Sequence, residues 1–79
     1  MGTVRSVFPL ENYRLLIELD TGSSFTVDLS HKLKTVRFAE LSDKSVFNNV
    51  TTDSETIIWG DGILKIPVNE LIDVAVHGR

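Results

Sequence analysis

Cysteine is absent from this 79-residue chain, proline occurs only twice and tryptophan once. Without cysteine there is no disulfide framework, no thiolate metal site and no thiol nucleophile, and nothing calls for an oxidising compartment. Long apolar runs are missing as well. None approaches the roughly 18 residues of a membrane span, and Met1 to Pro9 lacks the apolar core of a signal peptide. The expectation is a cytoplasmic protein with no membrane partner. Excess positive charge is also lacking: 8 lysines and arginines stand against 11 aspartates and glutamates, a net charge of −3. That sign is wrong for a surface that neutralises phosphates, so nucleic acid is disfavoured as a partner.

What is present suits a small folded protein. Hydrophobic residues make up 42% of the chain and charged residues 24%, ordinary globular proportions. A chain of this length supports one core, so residues 1–79 are expected to form a single domain whose modest stability dimerisation would help. Charge is distributed unevenly. His31, Lys32, Lys34 and Arg37 cluster, whereas the half after residue 37 is acidic, an asymmetry that suits a protein partner with a basic patch better than nucleic acid.

Periodicity outlines the elements. Val4, Val7 and Phe8 form a short apolar stretch ended by Pro9. Leu15, Ile17 and Leu19 alternate with Arg14, Leu16 and Glu18, and Phe25, Val27 and Leu29 alternate with Thr26 and Asp28. Asp20-Thr21-Gly22-Ser23-Ser24 between them has hairpin-turn composition, which predicts a β-hairpin over 14–29. After Leu29 the spacing changes, and Asp28 or Ser30 could cap a short helix. Ser42-Asp43 could begin a further turn carrying Val46 and Phe47 inward, broken by Asn48-Asn49. Val50-Thr51-Thr52 and Thr56 to Trp59 predict a second hairpin across Asp53-Ser54-Glu55.

Trp59-Gly60-Asp61-Gly62 is then a turn leading to a short extended segment, with Trp59 covering the edge of the core and Pro67 starting a helix. Two patterns fit the tail. Val68, Leu71, Ile72, Ala75 and Val76 define one helical face, with Glu70 near the positive end and His77-Gly78 at the close. The rival is a strand with Ile72, Val74 and Val76 on one side; the helix is favoured, because β-branched residues lower helix propensity by only tenths of a kcal/mol. The fold expected is α+β: an antiparallel sheet of four to five strands, short helical turns and a C-terminal helix.

Candidate chemistry is sparse. Asp28-Leu29-Ser30-His31 holds the residue types of a hydrolytic triad, but strand neighbours point to opposite faces and a triad is defined in space. Two histidines without cysteine make a poor zinc site, and Asp53, Glu55 and Asp61 lack the spacing of a calcium loop. Gly60-Asp61-Gly62 lacks the lysine of a Walker loop and the third glycine of a dinucleotide fingerprint. No enzyme and no cofactor are expected.

The order of these residues nevertheless forms a pattern. Pro9-Leu10-Glu11-Asn12-Tyr13-Arg14-Leu15-Leu16-Ile17-Glu18-Leu19-Asp20-Thr21-Gly22 resembles the "P-L-x-x-Y-x-L-x-V-x-F-x-D-G" opening of a small bacterial family, domain-of-unknown-function family 2442. Asp28-Leu29-Ser30, then Phe38, Leu41, Asp43, Phe47 and Val50, then Trp59, Gly62 and Pro67 resemble its remainder, so the likeness spans residues 4–71. It marks Tyr13, Asp28, Asp43, Trp59 and Gly62 as motif positions and possible interaction residues. The resemblance implies a small α+β domain without assigned activity. Family genes often neighbour that of a small toxin-like protein, which implies an antitoxin-like or regulatory role. Where the family usually has proline this chain has Gly60, and where it has a later aspartate this chain has Leu64.

The function expected is therefore a non-enzymatic protein-interaction module, partnered by itself or by a neighbouring gene product. The alternative is a small-molecule or cation site over 53–62 with Trp59 as one wall.

Overall fold

A computed structural model describes residues 3–77. The order is β1 (Val4–Leu10), β2 (Arg14–Leu19), β3 (Ser24–Asp28), the short helix α1 (Lys44–Asn48), β4 (Val50–Asp53), β5 (Thr56–Trp59), β6 (Leu64–Pro67) and α2 (Val68–His77). Single 3-10 turns occupy Glu11–Tyr13, Ser30–Lys32 and Ala39–Ser42. The α+β class expected from the sequence is correct, and the C-terminal segment is helix rather than strand.

The single sheet of four to five strands is corrected. Among the described residues there are two antiparallel three-stranded meanders, β1-β2-β3 and β4-β5-β6. The additional strand is β6, which pairs along β5 from Trp59 opposite Leu64 to Thr56 opposite Pro67. Two left-handed glycines make the reversal possible, Gly60 at φ +62 and Gly62 at φ +98, a region side chains with a Cβ seldom enter. The first strand also runs further than the apolar stretch suggested, through Pro9 to Leu10. As an outer strand of its sheet, β1 tolerates a residue with no N–H to give.

The outer strands meet. β1 packs against β4, and α2 packs against both β3 and β6, so the two meanders and the helix close a ring around one core. Covering sheet edges in this way removes templates for unwanted strand pairing. The β4–β5 turn fastens the ring: Ser54, at φ +56, accepts from the Val4 N–H at 2.6 Å, and the adjacent Glu55 carbonyl accepts from the Val68 N–H at 2.8 Å. One turn therefore positions the start of both β1 and α2.

Leu15, Ile17, Val27, Leu29, Leu41, Ile57, Trp59, Ile66 and Leu71 are fully buried, with Val4, Phe38, Phe47, Val68 and Val74 nearly so. The alternation in β2 and β3 thus points where the sequence indicated. Trp59 does not cover the edge of the core; it is 0% exposed and lies within it. On α2 the inward stripe is Val68, Leu71 and Val74, with Ile72 and Ala75 half-buried and Val76 72% exposed. The face is rotated from the expected one because the helix must contact β3 and β6 together. Pro67 ends β6 instead of opening the helix, and Gly78, expected to close it, lies outside the described residues.

Candidate functional site

The surface feature that gathers motif residues is a groove of about 410 Å³ between the β1–β2 connection and α1. Pro9, Leu10, Glu11, Asn12 and Tyr13 form one wall, and Lys44, Phe47 and Asn48 the other. Asn12 and Tyr13 both lie in the left-handed region, at φ +61 and +60. Asparagine accepts that conformation readily, whereas for tyrosine it costs roughly 1–3 kcal/mol and persists only where surrounding contacts over-determine it. Three contacts do so. The Tyr13 hydroxyl donates to the Ser42 carbonyl at 2.7 Å, its ring meets Phe47 edge-on with centroids 5.2 Å apart, and its carbonyl accepts from the Leu29 N–H at 2.9 Å.

Asp43 sets the opposite wall. As N-cap of α1 it accepts from the Ser45 N–H at 3.0 Å and the Ser45 hydroxyl at 2.7 Å, satisfying donors that a helix start leaves unpaired. The Ser45 hydroxyl, then its N–H, hold the Asp43 carboxyl below its ordinary value of 3.8, because both hydrogen bonds favour the charged form. Tyr13 and Asp43 are thus brought together as supports of one groove, each engaged in hydrogen bonds that hold the local backbone.

Asp28 lies elsewhere. Its Oδ1 accepts from the Ser30 hydroxyl at 2.6 Å and the Ser30 N–H at 2.9 Å, and the same two bonds lower its pKa from 3.8, helped by His31 and Arg14. Here the residue types of the apparent triad form a chain-turn cap. A smaller hollow of about 230 Å³ is lined by Arg14, Thr26, Asp28, His31, Val74 and Ala75.

The two remaining motif positions are structural. Gly62 donates its N–H to the Trp59 carbonyl at 3.3 Å within the turn. Trp59, suggested as the wall of a ligand site over 53–62, is enclosed, with its Nε1 buried and without a hydrogen-bond partner. Among the described residues no three histidines, aspartates or glutamates come together as a metal site would require. Leu64, where the family resemblance implies an aspartate, is half-buried and packs on the core.

Of the groove-lining residues, sequence reasoning singled out only Tyr13 and missed the others, Leu10, Lys44 and Asn48 among them. The available signal was Asn12, a residue tolerant of positive φ beside a tyrosine that is not; what it predicted was a sharp reversal, and the α1 wall arrives from more than 30 positions away.

Two sheets closed by a helix around one core, with an open groove at one end, define a small α+β domain that presents surface and encloses no titratable side chain among its described residues. The model of the family described as protein of unknown function (DUF2442) matches residues 4–75, and the chain belongs to that family. No curated protein and no solved structure matches it.

Proposed function

We propose that this protein is a non-enzymatic protein-interaction module that works by docking to another small protein, a second copy of itself or the product of a neighbouring gene, in a regulatory or antitoxin-like manner inside the cytoplasm. The supporting observation is the groove between the β1–β2 connection and α1, continuous with exposed apolar side chains. Leu10 is 37% exposed and Phe8, two residues earlier on the same face of β1, is 47% exposed. The strain held at Tyr13 and the cap at Asp43 are spent on shaping that surface. Apolar side chains rimmed by Glu11, Asn12, Lys44 and Asn48 match the make-up of an interface, an apolar centre with a polar rim.

Affinity purification of the full chain from its native host tests the reading, with Leu10→Asp as the comparison. The wild type should bring down one protein in stoichiometric amount, and the variant should lose it. A folded wild-type protein that recovers neither a partner nor a second copy would contradict the proposal.

A further inference from the structure

The outer face of the β1-β2-β3 sheet carries three parallel rows. Cross-strand register puts Phe8, Leu16 and Thr26 in the middle row. Ser6, Glu18 and Ser24 form the row on one side, and Leu10, Arg14 and Asp28 the row on the other. On the opposite face Leu15, Ile17 and Val27 are fully buried and Val7, Pro9 and Phe25 half-buried, whereas none of the nine outer residues is buried. Because β1 meets β4 and β3 meets α2, the edges of this sheet are occupied; His31, Val74 and Ala75 border the outer face beside Arg14, Thr26 and Asp28, and the strip along β1 and β2 is the surface left for a partner.

The order of the rows is self-complementary. Consider a second copy laid face to face about a two-fold axis that runs along the middle row. The strands of the copy then run opposite to those beneath them, Leu16 lies over Leu16 and Phe8 over Phe8. The rotation exchanges the outer rows, so Arg14 of each copy faces Glu18 of the other. Turning the axis by 90°, along β2, sets Arg14 over Arg14 and Glu18 over Glu18, which like-charge repulsion opposes. From this charge complementarity we infer that the protein forms a symmetric homodimer through the outer face of β1-β2-β3, with strands antiparallel across the interface, an apolar centre of Phe8 and Leu16, and two reciprocal Arg14–Glu18 pairs. Isologous contacts of this kind are the commonest route to a closed dimer.

The inference rests on the interaction-module reading and specifies one partner and one surface for it. Ser6 already donates to Glu18 Oε1 at 2.7 Å, which holds that carboxylate over the face. Arg14 Nε donates to the Glu11 carbonyl at 3.3 Å, and this leaves the other guanidinium nitrogens to reach across. Three strands by five residues give a face of about 14 by 17 Å. That is less than the roughly 800 Å² per partner of a standard interface, so the dimer belongs with the weak and reversible ones.

Sedimentation equilibrium of the full chain, over about 5 to 500 µM at low and high salt, tests this. The wild type should pass from monomer to dimer in that range, with weaker association at high salt. Arg14→Glu should weaken dimerisation at least tenfold, and the exchange Arg14→Glu with Glu18→Arg should restore it to within about threefold, because the swap regenerates both pairs. Circular dichroism on each variant separates unfolding from dissociation, and Leu16→Glu should abolish the dimer in a folded chain. A wild type that stays monomeric throughout, or a dimer indifferent to Arg14→Glu and Leu16→Glu, would overturn the inference. The interaction-module reading is judged separately, by whether the wild type captures a stoichiometric partner from the native host: a wild type that stays monomeric in sedimentation yet captures another protein sinks the dimer and keeps the module.

Discussion

Replacing Gly60 gives a test in which the cost can be worked from geometry. At φ +62 an L-residue pays roughly 1–2 kcal/mol for its Cβ. A Cβ placed there would also stand 2.8 Å from Ile63 Cδ1 and 3.2 Å from its Cγ1. Ile63 is 56% exposed and can turn away, at about 0.5–1.5 kcal/mol for leaving its rotamer. Gly60→Ala should therefore destabilise by about 2–3 kcal/mol, a large part of the few kcal/mol that stabilise a domain this small. The steric part is separable. In a double-mutant cycle with Ile63→Ala, the coupling should be about 1 kcal/mol, since removing Ile63 relieves the clash but not the backbone strain. Urea unfolding followed by the fluorescence of Trp59, the only tryptophan, measures all four corners. A Gly60→Ala protein as stable as wild type, or a cycle with no coupling, would refute the turn geometry. The same geometry bars the proline that the family resemblance implies at this position. Proline cannot reach φ +62, and it would lose the Gly60 N–H bond to the Asn49 carbonyl at 2.8 Å, so Gly60→Pro should cost about 3 kcal/mol or more.

Other substitutions probe the supports of the groove and the core. Tyr13→Phe keeps the edge-on contact with Phe47 but loses the bond to the Ser42 carbonyl, and a denaturation midpoint shift equivalent to about 1 kcal/mol is expected. Asp28 and Asp43 both have lowered pKa values, so their contribution is present above the ordinary 3.8 and lost as pH falls through the lower folded values. Replacing both with asparagine should flatten the loss of stability below about pH 4 in acid titrations followed by circular dichroism, while an unchanged slope would count against both caps. Trp59→Ala should cost about 3–5 kcal/mol. Trp59→Phe should cost less than half as much by thermal melting, because it also removes a buried N–H that has no partner. The exposed Arg37–Glu70 pair, 2.6 Å apart, should contribute less than about 1 kcal/mol when Arg37 is changed to alanine.

Local features were legible where neighbours in sequence decide them. The hairpin of β2 and β3 follows from alternation and a turn cluster, the cap at Asp43 from its place before Val46 and Phe47, and the helical tail from its spacing. What failed depends on remote partners. The split into two sheets lies in which strands pair, β1-β2-β3 and β4-β5-β6 with β1 only packing on β4, and the rotation of α2 toward Val74 follows from packing on β3 and β6 together. Trp59 could be placed at a hairpin end, but the return of β6 beside it, with Leu64 as its cross-strand neighbour, could not. Tyr13, Asp28 and Asp43 were found as a pattern, and only their hydrogen bonds show that they hold the backbone in place.

The central claim is that the surface around Leu10 meets a protein in the cell, and crosslinking in the native host tests it most directly. A photoreactive side chain is introduced at Leu10 in one strain and at Thr51, exposed on β4, in another. The account predicts a discrete adduct of defined mass from position 10 and none from position 51. No adduct from position 10, or the same smear from both, would contradict it.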